Sequence, residues 1–154
     1  MIAAPPEKIF DLLARPASHR LIDGSGSVRD PKEAPRRLSL GAEFEMAMNL
    51  GFPYTMRNEV IEFEEGRRIA WRPRPAAPLL RGLGGRVWRY ELDPGPDGTR
   101  VRQTWDPSGE RWLLRRFGRF ALGAPGFKFM VKPEATRAAM AATLERIDHL
   151  VTEP

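Results

Sequence analysis

Residues 58–72, Asn58-Glu59-Val60-Ile61-Glu62-Phe63-Glu64-Glu65-Gly66-Arg67-Arg68-Ile69-Ala70-Trp71-Arg72, decide the fold. In the last five, Ile69 and Trp71 alternate with Arg68, Ala70 and Arg72, the period-two pattern of a half-buried strand. Glu64-Glu65-Gly66-Arg67 reads as a hairpin loop, which makes the run from Tyr54 to Phe63 the partner strand. Val60 and Ile61 are adjacent apolar residues, so strict alternation breaks there and a β-bulge is expected.

The same period extends outward on both sides. Glu43 to Asn49 places Phe44, Met46 and Met48 on one face, and Gly51-Phe52-Pro53 is a turn. After a Pro/Gly-rich loop from Pro73 to Gly85, Arg86 to Leu92 groups Trp88, Tyr90 and Leu92. Thr99 to Trp105 groups Val101, Gln103 and Trp105, and Asp93 to Gly98 joins the two as a turn-rich loop. The opposite faces carry Arg57, Glu59, Arg72, Arg89, Glu91, Arg100 and Arg102, a solvated surface suited to cross-strand charge pairs. Strands joined by short turns imply an antiparallel meander.

Helices flank the strands. Pro5-Pro6-Glu7 suits a first helical turn, where proline loses no hydrogen bond and an acid faces the positive end. Ile9, Leu12 and Leu13, with Phe10 beside them, give that helix one apolar face, and Pro16 ends it. Ala17 to Ile22 reads as a short second helical turn before the loop from Asp23 to Ser27. At the other end Pro133-Glu134 opens a long helix with Thr136, Met140, Leu144, Ile147 and Val151 on one stripe. Alanines at 135, 138, 139, 141 and 142 favour the helix and add little bulk. Helix, strands and a terminal helix long enough to cover the sheet give a two-layer α+β domain. A slender helix over a sheet face lined with large aromatics implies a cavity between them.

Composition excludes several alternatives. The 154 residues, 42% hydrophobic and 29% charged, suit one globular domain over 1–154. Without cysteine there are no disulfides and no thiolate metal sites. The opening residues lack the pattern of a signal peptide, and no run approaches the ~18 apolar residues of a spanning helix, so a cytoplasmic location is expected. The formal charge is +5 and the pI about 10.2. The arginines are nevertheless dispersed among acids and no nucleic-acid motif accompanies them, so no nucleic-acid partner is expected.

In this order the segments resemble a known family. Ile2 to Leu13 resembles the opening of the START-like superfamily, also called the polyketide cyclase/dehydrase and lipid-transport superfamily (SRPBCC). Residues 58–63 with 68–71 are similar to its central hairpin. Gly98-Thr99-Arg100-Val101 and Thr104-Trp105-Asp106 resemble its last hairpin, and Met140 to Ile147 its final helix. The resemblance implies a helix-grip (Bet v 1-like) fold, a seven-stranded sheet gripping the last helix around an apolar ligand. It implies no universal catalytic residues. One departure is that only Met1 to Ala4 precede the first helix, where the family usually has a longer strand.

The candidate ligand-binding residues are Phe44, Met46, Met48, Asn58, Val60, Trp71, Trp88, Tyr90, Gln103, Trp105, Met140 and Leu144. Aromatics and adaptable methionines on one face suit an apolar pocket. Asn58, Tyr90 and Gln103 are polar groups on that face and must pair with each other, with water or with a ligand. His19 and His149 show no metal-ligand spacing, the glycine clusters at 24–26 and 82–85 match no catalytic or dinucleotide motif, and no inward carboxylate or histidine supplies a general base. No cofactor, metal or catalytic residue is therefore assigned. The expected function is binding of a lipid- or polyketide-like small molecule, with a small aromatase/cyclase or dehydratase as the alternative. Leu113, Phe117 and Phe120 with Arg111, Arg115 and Arg119 form a basic amphipathic helix. Within a lid-like insertion at 108–132, it suits either a cover over the pocket mouth or, as a second alternative function, a transient membrane-surface or polyanion contact through 111–119.

Overall fold

Proline sets the boundaries of both N-terminal helices. Helix α1 (Pro6–Ala14) has proline in its first turn and Glu7 beside it. It stops at Arg15, which is extended (φ −108°, ψ 109°), the conformation that a following proline imposes. That proline, Pro16, then starts α2 (Pro16–Ile22), so the residue expected only to end one helix also opens the next. The computed structural model describes residues 1–78, 85–110 and 133–153. Strands β1 (Val28–Glu33), β2 (Glu43–Asn49), β3 (Pro53–Glu64), β4 (Arg68–Pro75), β5 (Val87–Gly95) and β6 (Gly98–Asp106) follow. A 3-10 turn (Ser108–Glu110) and helix α3 (Pro133–Thr152) complete the described elements.

The six strands form one sheet in chain order, every neighbour antiparallel. The expected bulge lies in β3. Val60 faces Trp71 and Glu62 faces Ala70, so Ile61 is the extra residue. The insertion reverses the alternation beyond it and turns Phe63 to the same face as Val60. There Phe63 meets Phe10 of α1 edge-on, with ring centroids 5.2 Å apart. Without the bulge Glu62 would take the inner position.

Three features differ from the sequence expectation. Strand β1 has no apolar alternation and contains Pro31, and its pairing with β2 slips register twice. An edge strand tolerates such a residue, and nothing in its pattern announces a strand. The seventh strand implied by the family resemblance is reduced to one bridge, in which Ile2 and Thr99 exchange backbone hydrogen bonds of 2.9 and 2.8 Å. Finally, Ala70 points to the outer face yet is fully buried. It lies in a row between Glu62 and Arg89, and those long side chains join over it at 3.0 Å. A small residue on the middle strand lets an ion pair bridge its two neighbours. The Arg89 guanidinium, hydrogen-bonded to it, holds the Glu62 carboxyl below its ordinary value. Elsewhere on this face Arg57 pairs with Glu45 at 2.7 Å.

The core lies between the inner sheet face and the three helices. Ile9, Phe10 and Leu13 of α1, Ile69 of β4 and Ile147 of α3 have no more than 0% exposure. Helix α3 packs on α1, α2 and β6. Its approach to the α2–β1 loop is close enough to require glycine: a Cβ on Gly24 would lie 2.5 Å from the Thr143 nitrogen and 2.8 Å from the Ala142 Cβ. The Gly24 N–H donates to the Thr143 hydroxyl at 3.0 Å, and Arg146 donates to the Asp23 carbonyl. Asp23 in turn accepts from Ser25 and, at 2.9 Å, from the Val28 N–H, which ties the loop to β1.

Candidate functional site: the half-open end of the inner sheet face

From β2 to β6 the inner face passes from sealed to half-exposed in one direction, apart from half-buried Phe63 beyond the bulge, while edge strand β1 has no sealed residue. On β2, Phe44 and Met46 are buried and Met48 is half-buried. On β3, Asn58 and Val60 are buried while Tyr54 and Met56 are half-buried. Ile69 and Trp71 are buried on β4 and Pro73 and Pro75 are not. On β5 the order is Leu92 and Tyr90 buried, then Trp88 half-buried. On β6 it is Thr99 buried, then Val101, Gln103 and Trp105 half-buried. Antiparallel pairing sets Met48 opposite Tyr54, Met56 opposite Pro75 and Trp88 opposite Trp105; Trp88 also faces buried Trp71, so the indole pair lies further back along the sheet than Met48 and Tyr54. On α3, Ile147 is fully buried, whereas Met140 and Leu144 nearer its start are half-buried.

The twelve candidate residues therefore divide. Phe44, Met46, Val60, Trp71 and Tyr90 belong to the packed core, with Asn58 buried beside them. Met48, Trp88, Gln103, Trp105, Met140 and Leu144 keep partial exposure. Asn58 is explained without a ligand, because its amide nitrogen donates to the carbonyls of Phe44 (3.3 Å) and Met56 (3.4 Å). Tyr90 and Gln103, opposite each other on β5 and β6, pair directly: the Gln103 Nε2 donates to the Tyr90 hydroxyl at 2.8 Å. Burial pushes the Tyr90 phenol well up, so it stays protonated and neutral. Trp88 and Trp105, also directly opposite, lie with ring centroids 6.3 Å apart, and the Arg86 guanidinium sits 5.6 Å from the Trp105 ring.

Sequence reasoning missed His19. The expectation that no histidine faces inward is corrected: His19 reaches the core from α2 and is 7% exposed. Its ring stacks on Trp71 at 5.0 Å and meets Phe44 edge-on at 5.4 Å, while Trp71 stacks on Tyr90 at 5.5 Å. Its Nε2–H donates to the Leu13 carbonyl at 2.8 Å. The available signal was its place between Pro16 and Ile22 at helical spacing, with exposed Arg20 and Leu21 following it. Burial lowers its pKa to about 4, against the opposing pull of the Leu13 carbonyl. A base that weak takes little of a proton at neutral pH, so burying His19 does not create an effective general base.

The depressed value has a consequence for stability. Above pH 6.5 both folded and unfolded chains hold His19 neutral, and as pH falls from 6.5 towards 4 only the unfolded chain binds the proton. His19 is thus expected to withdraw about 3 kcal/mol of stability between pH 7.5 and pH 4. Denaturant midpoints at the two pH values will be closer together in His19→Gln than in the parent protein. Equal shifts in both proteins would assign acid sensitivity to other groups.

Two grooves lie elsewhere. One, of about 190 Å³, is lined by Glu33, Pro35, Glu43, Phe44 and Arg57, and the other, of about 220 Å³, by Pro16, Pro31, Lys32 and Arg36 among others. Phe44 is the one candidate residue that touches either. The basic amphipathic segment Arg111 to Arg119 and most of the 108–132 insertion fall outside the described residues. Among the described residues no helix is long and apolar enough to cross a membrane.

Residues 1–151 match the sequence profile described as polyketide cyclase / dehydrase and lipid transport. The uncharacterized protein Rv0088 of Mycobacterium tuberculosis is 35% identical over 107 residues, which make up 68% of this chain and 44% of that protein. The matched part thus spans less than half the length of that relative. Among solved structures, protein CV1439 of Chromobacterium violaceum superposes with a TM-score of 0.68 at 16% identity, covering 99% of this chain and 93% of its own. A protein of Arthrobacter aurescens reaches the same TM-score at 13% identity, covering 99% and 83%. At such identities these structures speak for the fold alone.

Proposed function

The chain belongs to the polyketide cyclase / dehydrase and lipid transport family, and from that premise we propose that it binds an apolar or amphipathic small molecule at the half-open end of the inner sheet face. One observation carries the proposal: from β2 to β6 the burial of the inner face fades in one direction, and methionine, tyrosine and tryptophan side chains along that side keep partial exposure. Large apolar side chains left half-covered on one sheet face favour a partner that completes their burial. Methionine and paired indoles adapt to guests of differing shape.

Catalysis of a cyclisation or dehydration is the weaker reading. Among the described residues His19 does not supply a base of suitable strength, since burial depresses its pKa and its Nε2 proton is engaged with Leu13. Tyr90 remains a neutral hydrogen-bond donor that can polarise a carbonyl oxygen. The cyclase reading requires that Tyr90→Phe abolish turnover of a polyketide-like substrate while the fold persists.

The binding proposal is tested with N-phenyl-1-naphthylamine, a neutral apolar fluorophore. Saturable binding should enhance its emission and quench the tryptophans, and Trp88→Ala or Met140→Ala should weaken it at least five-fold. Denaturing extraction of protein purified without detergent, followed by mass spectrometry, should recover an apolar compound. Linear, unsaturable fluorescence with empty extracts would sink the proposal.

A further inference from the structure

Two polar atoms on the inner face, the Gln103 Oε1 and the Trp105 Nε1, are buried and have no hydrogen-bond partner among the described residues. They are two residues apart on one strand and so share a face. Opposite them stand Tyr90 and Trp88. An unpaired buried donor or acceptor is destabilising, and two adjacent ones call for a common explanation. The alternation does not require the Trp105 N–H, which phenylalanine would lack, whereas the Gln103 amide also serves the buried Tyr90 hydroxyl through one of its two polar atoms and leaves the other spare.

The inventory of the cluster narrows what satisfies it. The Gln103 amide nitrogen donates to the Tyr90 hydroxyl, so the tyrosine keeps its own proton to give, and the Trp105 N–H is a second donor. Turning the amide over makes Tyr90 donate to the Gln103 oxygen and leaves the Gln103 N–H as a donor in its place. In the first orientation the Gln103 oxygen stays an unpaired acceptor beside the Tyr90 and Trp105 donors; in the second the Gln103 and Trp105 N–H groups are the unpaired pair and no amide oxygen is left over, so this is the orientation that a ligand acceptor satisfies in full. No carboxylate or lysine belongs to the cluster, and the Arg86 guanidinium lies 5.6 Å from the Trp105 ring. Two donors match the two lone pairs of a carbonyl oxygen. Burial here already resists negative charge, which is why the Tyr90 phenol is held so far up, with Asp23 adding to the effect.

We propose that Tyr90, Gln103 and Trp105 form a polar subsite within the apolar binding face, one that accepts the carbonyl oxygen of an uncharged ligand such as a ketone or ester. This rests on the binding function proposed above and specifies the chemistry of its ligand. The donors sit where the rows pass from sealed to half-exposed: Tyr90 is buried, and Gln103 and Trp105 are half-buried. The carbonyl end of the ligand therefore enters first, and its hydrocarbon remainder lies against Trp88, which stands opposite Trp105.

Three probes of one shape test it: 2-ethylnaphthalene, 2-acetylnaphthalene and 2-naphthoate. Their affinities are read by tryptophan quenching and by displacement of N-phenyl-1-naphthylamine. The ketone is expected to bind at least ten-fold more tightly than either of the others. That preference should fall below three-fold in the Gln103→Met, Trp105→Phe double variant, which keeps bulk and removes both unpaired atoms. The carbonyl stretch of the ketone bound to the parent protein should lie below its position in hexane, a readout that needs no variant to fold. Equal affinity for ethyl- and acetylnaphthalene would overturn the polar subsite and leave apolar binding intact. Tightest binding of naphthoate would overturn the requirement for an uncharged ligand, and persistence of the preference in the double variant would overturn the residue assignment. Failure of all three probes to bind would overturn the binding function as well.

Discussion

Replacing Phe44 by alanine is expected to lower stability by about 3–5 kcal/mol, the usual cost of removing a large ring from a close-packed interior. Phe44 is 1% exposed and lies among His19, Trp71, Met46 and Val60. Its ring meets that of Trp71 edge-on at 6.1 Å and that of His19 at 5.4 Å, so truncation opens a void between two stacked partners that cannot both move into it. For a domain of this size the loss corresponds to a fall in melting temperature of roughly 10–15 °C. Met140→Ala is the informative companion. Met140 is half-exposed, so its truncation should cost no more than about 1 kcal/mol and act on ligand affinity instead. Thermal melts with and without N-phenyl-1-naphthylamine separate the two effects. A small stability loss in Phe44→Ala, or a large one in Met140→Ala, would contradict the division of the inner face into a sealed half and a receptive half.

Gly24→Ala is expected to be nearly as damaging, although it adds a single methyl group. That methyl would press on the Ala139 carbonyl, the Thr143 nitrogen and the Ala142 side chain, all on α3. Two of the three are backbone, so relief requires the helix to move away from the loop rather than a side chain to rotate. Moving it breaks the hydrogen bond from the Gly24 N–H to Thr143 and the contact of Arg146 with Asp23. Overpacking of this kind costs about 3 kcal/mol. Gly26→Ala provides the contrast: Gly26 has a φ of 70° but open space around it, so alanine there meets only the left-handed backbone penalty of roughly 1 kcal/mol. Circular dichroism melts should rank parent, Gly26→Ala and Gly24→Ala in descending order. Equal losses would mean that loop conformation, not the approach of the helix, makes glycine necessary.

Both expectations concern contacts that join distant parts of the chain, and these are where sequence and structure part. The asparagine at 58 was legible as inward-facing but not as satisfied, because its acceptors are backbone carbonyls whose direction depends on the neighbouring strand. His19 was passed over because a six-residue stretch shows which face of a short helix is apolar only once its neighbours are known. Ala70 read as an outer-face residue and is one. Its burial comes from Glu62 and Arg89 meeting over it, a pairing between strands that are not adjacent.

What the sequence determined by itself is everything carried by period and by local backbone chemistry. Alternation at 43–49, 68–72, 86–92 and 99–105 and the paired apolar residues at 60–61 specify strands, faces and a bulge. Prolines at 6 and 133 specify where helices begin, and Pro16 where the first one ends. Only the tertiary structure decided which inward residues are sealed, which stay half-open, and which buried polar atoms lack partners. Those properties belong to the space between the sheet and α3, and that space is set by the close contact at Gly24 and by cross-strand register. Each joins residues far apart in the chain, so no local pattern of residues encodes it.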